Sequence, residues 1–317
     1  MSEIKIEKTS YGGWPNCYRL TNSEVELVVT SDVGPRIIRY GFVNGPNLFA
    51  EFPDQLGGSG ETWWVMRGGH RLWIAPEVIP DTYALDNGPV KATLDGRMIT
   101  LLQPVEPETL LQKEISIRLD PDGLVTVTHR IENAGPKPRR IALWALSQMR
   151  PGGTGITIFP PRGCHEECLL PTNPLVMWAY TDFSDKRWQF TKQYLILKQN
   201  PADHSPQKAG LFHENTAAAY LLGTDLFVKR ARANPAVPHP DFHCSFEIFT
   251  NGDFLELETL GPLVDIGPGS SVSHVEHWSL HRNVQLNSFS DDELDRVVLP
   301  FLNPVDGTAQ GTGRVGF

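Results

Sequence analysis

Apolar and polar residues alternate in short runs along most of the chain. "EVELVVT" (24–30), "EISIRLD" (114–120) and "LVTVTHRIEN" (124–133) alternate over much of their length. "RIIRYGFV" (36–43), "RIALWALSQM" (140–149), "YLILKQN" (194–200), "AAAYLLG" (217–223), "DLFVKRARA" (225–233), "FEIFT" (246–250) and "VSHVEHWSLH" (272–281) are equally short and rich in β-branched and aromatic residues. Gly, Pro, Asn or Asp bound these runs, which therefore predict strands, and "DPDG" (120–123) predicts a hairpin turn between two of them. Helix patterning is sparse. "FSDDELDRVVLPFL" (289–302) offers Ser290 as N-cap, Glu293 as its capping-box partner and a Phe289–Leu294 staple, with Pro300 limiting the helix.

No composition shift marks a linker and no fixed-period repeat appears, so residues 1–317 read as a single domain, with 303–317 as a Gly-rich tail. Many antiparallel strands at close spacing predict an all-β protein, a large antiparallel β-sandwich or barrel with few short helices. Such folds bind ligands on a concave sheet face. "GDFLELETLGPL" (252–263) is therefore informative: Leu255 and Leu257 point one way, and Glu256 and Glu258 point the other, about 7 Å apart. That carboxylate face either meets water or lines a site.

Charge and cysteine content narrow the classes. A formal net charge of -9 argues against a nucleic-acid partner, which would need a basic stripe. No apolar stretch approaches the length of a membrane span, and "MSEIKIEKTS" lacks the apolar core of a signal peptide. The four scattered cysteines, Cys17, Cys164, Cys168 and Cys244, then read as reduced thiols of a cytoplasmic protein. "CHEEC" (164–168) has no second paired half at zinc-site spacing and reads as a surface loop, so no metal and no cofactor is expected.

Three stretches carry candidate chemistry. In "WWVMRGGHRLWIAPE" (63–77), Gly68-Gly69 permits a close backbone approach, flanked by Arg67, His70 and Arg71, with Trp63, Trp64 and Trp73 nearby. Flat apolar faces beside charged donors suit a sugar, and equally a packed aromatic cluster. In "VKRARANPAVPHPDFHCSFEIFT" (228–250), Lys229, His239, Asp241 and His243 lie on or beside a Pro-rich loop. The third is "FLELETLGPLVDIGPGSSVSHVEHWSL" (254–280), with Glu256, Glu258 and Glu276.

This last stretch resembles the C-terminal part of the galactose mutarotase-like superfamily, through Leu257-Glu258-Thr259, Pro262, Gly267-Pro268-Gly269 and the strand that follows. "MRGGHRLWIAPE" resembles the "RGG.P..FP.FG" of the hexose-6-phosphate 1-epimerase branch, and the chain is most similar to a mutarotase-like family with a "GGHRLW.APE" signature. The resemblance implies a mutarotase-like supersandwich and a sugar 1-epimerase. It assigns the general base to Glu258 and places Arg67 at the sugar. The family's middle-strand His is matched here by Trp144 in "IALWALSQM", and its "HG..R" segment is absent.

Interconverting anomers needs a base for the O1 proton and an acid for the ring oxygen. Glu258 takes the first role. His70 is the candidate acid, because an imidazole's ordinary pKa of about 6.5 suits it. Arg67, Arg71, Trp73, Glu77, Lys229, His239, Asp241 and Glu256 are the candidate sugar contacts, the cations holding hydroxyls or a carboxylate or phosphate of an anionic sugar. Two other classes stay open: a carbohydrate-binding protein without catalysis, and a lyase or hydrolase using Glu77, Glu256 or Glu276 as a second carboxyl. The sequence names neither the sugar nor the oligomeric state.

Overall fold

A computed structural model describes residues 3–303, so the expected Gly-rich tail lies, beyond Asn303, outside the described residues. In chain order the strands are β1 (Lys5–Tyr11), β2 (Trp14–Thr21), β3 (Val25–Thr30), β4 (Arg36–Phe42), β5 (His70–Ala75), β6 (Lys91–Asp95), β7 (Met98–Leu102), β8 (Leu111–Leu119), β9 (Val125–Asn133), β10 (Arg139–Met149), β11 (Thr154–Ile158), β12 (Leu175–Met177), β13 (Trp188–Phe190), β14 (Tyr194–Lys198), β15 (Gln207–Leu211), β16 (Ala217–Leu222), β17 (Asp225–Ala231), β18 (Phe246–Thr250), β19 (Leu255–Leu260), β20 (Val264–Ile266) and β21 (Ser271–His281). Three short α-helical segments, α1 (Pro240–His243), α2 (Asp291–Val297) and α3 (Leu299–Leu302), and one 3-10 turn (Asp81–Tyr83) complete the described fold.

The strands form two sheets. The first runs β1-β2-β3-β4-β5-β10-β19-β18-β15-β12, with β20 also paired to β10, and the second runs β13-β14-β11-β16-β17-β21-β9-β8-β7-β6. They pack face to face as an antiparallel sandwich over one apolar core, where Tyr40, Phe49, Phe227 and Trp278 meet as tilted and edge-to-face rings. β8 and β9 bury every second side chain, as their alternation predicts. β3, β5 and β19 are buried on both faces. The outer face of the second sheet is covered over β11, β14, β16 and β17 by Leu294, Val298 and Leu302 of the C-terminal helices.

The predicted C-terminal helix is two helices. The Ser290 side chain caps α2 by accepting from the Glu293 amide, but the Glu293 carboxylate turns to Asn287 and Arg296 instead of closing the box. The break falls at Val298, and Pro300 sits in the first turn of α3, where its missing N–H leaves no partner unsatisfied.

A polar network lies inside the sandwich. Lys229 of β17 crosses from the second sheet to the first, donating from Nζ to the carbonyl oxygens of Ala145 and Leu257 (both 3.0 Å) and pairing with Glu276 Oε1 at 2.8 Å. Glu276 Oε2 accepts from Trp278 Nε1 at 2.8 Å, and Thr259 donates to Oε1. Burial alone would raise the Glu276 carboxyl, but Lys229, His129 and His274 around it hold it below its ordinary value. Lys229, expected as a sugar contact, is thus a tether inside the core. Removing one member leaves the other charged and buried without a partner, which typically costs about 3–5 kcal/mol. Lys229→Met should lower the urea-unfolding free energy by roughly that amount, and the double variant Lys229→Met/Glu276→Leu should recover most of it. Equal loss in both variants would show that the pairing is not what stabilises this region.

Candidate functional site

The outer face of the first sheet carries a second polar cluster. The register places Leu146 opposite both Arg71 and Glu258, Trp144 opposite Trp73, Gln148 opposite Glu256, and Glu247 opposite Glu258. By the period of two, Arg71 and Trp73 of β5, Trp144 and Gln148 of β10, Glu256 and Glu258 of β19, Glu247 of β18 and Lys208 of β15 therefore share one face. On this face lies a cavity of about 360 Å³, within the usual range for small-molecule sites, whose walls include Trp64, Trp73, Tyr83, Trp144, Tyr180, Arg71, Lys208, Glu77 and Glu256. Aromatic faces dominate the lining, and Trp73 packs edge to face on Trp144 with ring centroids 5.4 Å apart.

Three arginines are buried around the Gly68-Gly69 bend, and they differ in what neutralises them. Arg36 pairs with Asp86 at 2.6 Å and donates to the carbonyls of Met66 and Gly68. Arg67 pairs with Glu61 and donates to Gln55 O, Gly58 O and Asn87 Oδ1. Arg71, only 2% exposed, has no carboxylate partner among the described residues. Its Nη2 reaches the Met66 sulfur at 3.4 Å, and its Nε and Nη1 have no partner. Its Cζ lies over two tryptophan rings, 4.8 Å from the Trp64 centroid and 4.1 Å from that of Trp73. Burial lowers its pKa to about 10. The bend that sets these arginines needs its glycines: a Cβ on Gly68 would lie 2.1 Å from Ala50 O, and one on Gly69 2.3 Å from Ile37 O, both at positive φ.

Lys208 is the opposite case. Its Nζ lies 2.8 Å from Glu247 and 2.9 Å from Glu258, between the faces of Trp144 and Trp178. Burial alone would lower the ammonium's pKa, but the two carboxylates hold it well above the ordinary value. Glu258 Oε2 also accepts from Trp144 Nε1 at 2.8 Å, while its Oε1 is buried without a partner. Glu258 is fully buried and lies behind the cavity wall, whereas Glu256 forms part of that wall. Glu256 Oε1 accepts from Gln148 at 2.9 Å. Burial, with the Glu258 charge beside it, raises its pKa to about 7. Glu247 is pushed well above its ordinary value, chiefly by burial.

Of the residues expected to meet a sugar, the structure gathers Arg71, Trp73, Glu77, Glu256 and Glu258 on this face, with Glu77 exposed at the rim beside Tyr83. Asp241 adjoins the cluster half-buried, and burial raises its pKa beside Glu247 and Lys208. Four others lie elsewhere. Arg67 locks the loop before β5, Lys229 is in the core, and His239 packs against Phe212 and His243. His70 precedes Arg71 in the strand and so points to the opposite face, where it is fully buried against Trp278. Glu276 is likewise in the core, which removes one carboxyl from any hydrolase arrangement.

His70 belongs to a closed hydrogen-bond chain. A carbonyl only accepts, so His129 must carry its proton on Nδ1 to reach His274 O at 3.0 Å. Its Nε2 then accepts from His70 Nε2 at 2.7 Å, and His70 Nδ1 accepts from the Ser147 hydroxyl at 2.9 Å. Burial and the Lys229 charge push His70 well below its ordinary pKa, so it is neutral here. Donor atoms of His70, His129 and Glu276 lie within 4.8 Å of one another, a spacing a metal could use, but protein partners satisfy them and the Lys229 ammonium stands beside them. Cys164 and Cys168 are exposed.

Sequence reading missed Lys208 and Glu247. Lys208 stands in the short strand "QKAGL", which shows no alternation, and no motif marks it. Glu247 had a signal, since it is a lone charge in the apolar run "FEIFT", the same anomaly that singled out Glu256 and Glu258.

No protein-family model matches the chain, and no curated protein matches it in sequence. Solved structures do match in fold. A galactose mutarotase-like protein from Lactobacillus casei is 12% identical with a TM-score of 0.56, over 84% of this chain and 100% of its own. A provisionally named aldose 1-epimerase from Klebsiella pneumoniae is 12% identical with a TM-score of 0.57, over 88% and 83%. A galactose mutarotase related enzyme from Lactobacillus acidophilus is 9% identical with a TM-score of 0.51, over 84% and 98%. The fold is the galactose mutarotase-like sandwich.

The Glu256 carboxyl carries a pH signature. Its folded pKa, about 7, stands above the ordinary 4.5, so the stability it contributes is complete below about pH 4.5 and is lost as pH rises through about 7. Glu256→Gln removes that titration. The fall in urea-unfolding free energy between pH 5 and pH 8 should be smaller in the variant, by on the order of 2 kcal/mol. An unchanged fall would place the titrating group elsewhere.

Proposed function

We propose that the cavity on the outer face binds a sugar, and that the carboxylates at its wall move protons at the anomeric centre in a 1-epimerase-like reaction. One observation carries this reading: a single cavity combines several aromatic faces, which suit the C–H face of a sugar ring, with Glu256 in its wall and Glu258 just behind. The names of the fold neighbours support the same substrate class. Glu258, with Oε1 unpartnered, is the acceptor for the O1 proton. His70 faces the core, so the acid must come from the outer face, and Glu256 is the group there whose pKa lies near 7. No helix of the described residues is long and apolar enough to cross a membrane. Free Cys17, Cys164, Cys168 and Cys244 fit a reducing compartment, and we assign the protein to the cytoplasm.

A non-catalytic sugar-binding protein is the second reading. It is favoured by the complete burial of Glu258 behind Trp144 and Lys208. Anomer exchange measured by NMR saturation transfer on neutral, phosphorylated and acidic sugars separates the two. Wild type should accelerate exchange of at least one sugar, and Glu258→Gln and Glu256→Gln should each lower the rate about 10²-fold or more. Binding without acceleration would establish the second reading and remove the catalytic one.

A further inference from the structure

We infer that Arg71 is the receptor for an oxyanion carried by the ligand, a carboxylate or a phosphate on the sugar. This rests on the reading of the cavity as a sugar site and names the substrate class that site takes.

Arg71 is a buried cation left, among the described residues, without a direct anionic partner. A buried cation is costly unless it is paired and hydrogen-bonded. Arg36 and Arg67, buried in the same part of the fold, each have a carboxylate and several backbone or amide acceptors. Arg71 has neither, although it is equally buried and forms part of the cavity wall. The anions that could serve it are committed. Asp86 pairs with Arg36, Glu258 pairs with Lys208, and Glu77 is bonded to Tyr83. Glu256 takes its hydrogen bond from Gln148; its charge and that of Asp86 reach Arg71 through space, but neither carboxylate contacts the guanidinium.

Geometry adds direction. Trp64 and Trp73 lie beside the guanidinium, 4.8 and 4.1 Å from ring centroid to Cζ, and their ring faces attract the cation without accepting its N–H bonds in the way an oxyanion would. Nε and Nη1 are unpartnered. Nη2 spends one of its two hydrogens on Met66, so the other can form a fork with either free nitrogen, Nε on one edge or Nη1 on the other, and such a fork matches the oxygens of a carboxylate or phosphate. A hydroxyl would satisfy one donor and leave the charge unneutralised.

The test is a calorimetric titration of wild type with glucose, glucuronate, glucuronamide and glucose 6-phosphate, repeated with Arg71→Met and Arg71→Lys. At least one anionic sugar should bind wild type tenfold or more tighter than glucose. Which of glucuronate and glucose 6-phosphate shows the margin identifies the oxyanion. Arg71→Met should abolish the margin, and Arg71→Lys, which keeps the charge but loses the planar fork, should restore part of it. The glucuronate–glucuronamide comparison needs no variant, so a folding defect at this buried position does not block the test. Neutral sugars binding as tightly as the anionic ones would overturn the inference and leave the sugar reading standing. A margin that survives in Arg71→Met would place the anion on another residue and also overturn it. No binding of any of the four sugars would overturn the sugar reading and this inference together.

Discussion

Lys229 fixes how the two sheets face each other. Its ammonium meets Glu276 on its own sheet and two backbone carbonyls of the other, Ala145 and Leu257. Those carbonyls flank Leu146 and Glu258, which are directly paired across β10 and β19. One buried charge thus ties the centre of the second sheet to the underside of the strands that carry the outer cluster. The tether is fully hydrogen-bonded, which is what makes a charge tolerable at that depth. It also explains why so much polarity can sit inside the sandwich, since His70, His129, His274, Thr259 and Ser147 each find a partner in one connected network.

The central strands of the first sheet consequently have two polar faces. Odd and even residues go to different environments, and each environment is buried. This parity decided what could be read from the sequence. Glu256 and Glu258 share a strand, so their common face was legible from alternation alone. His70 and Glu258 lie on different strands, and only the register relates them. Arg71 faces the same side as Glu258 through Leu146, so its neighbour His70 cannot. The bend at Gly68-Gly69 was legible because three consecutive residues there, starting at Arg67, adopt positive φ. The loop contacts that neutralise Arg67 come from Glu61 and Asn87, which no local pattern links to it.

Architecture was more legible than chemistry. Half-buried strands such as β8 and β9 announce themselves by alternation. β5, buried on both faces, reads "HRLWIA" with no period of two, so no alternation marks it as a strand. Edge strands β12, β13 and β20 are three residues long, too short to show a period. The C-terminal helix was legible at its start, where Ser290 caps it, and not at its break, because a Pro in a first turn and a Pro beyond a last turn look alike in sequence.

Trp144 redirects the chemistry open to the outer face. Where the resemblance expects a histidine on the middle strand, an indole donates its single N–H to Glu258. An indole N–H donates but does not titrate in the usable range, so β10 supplies no proton shuttle. Titration on this face falls to the strands on either side of it. There Lys208 stays charged between Glu247 and Glu258, and the burial of Glu256 brings its carboxyl to about 7. The proposed proton transfer therefore rests on the carboxylates of this face, and Glu256 among them is the one whose burial beside Glu258 raises its pKa to about 7. Glu256 and Glu258 thus share one face but differ in their partners, Glu258 ion-paired to Lys208 and Glu256 held by the Gln148 amide, and it is this difference that the proposed acid and base roles draw on.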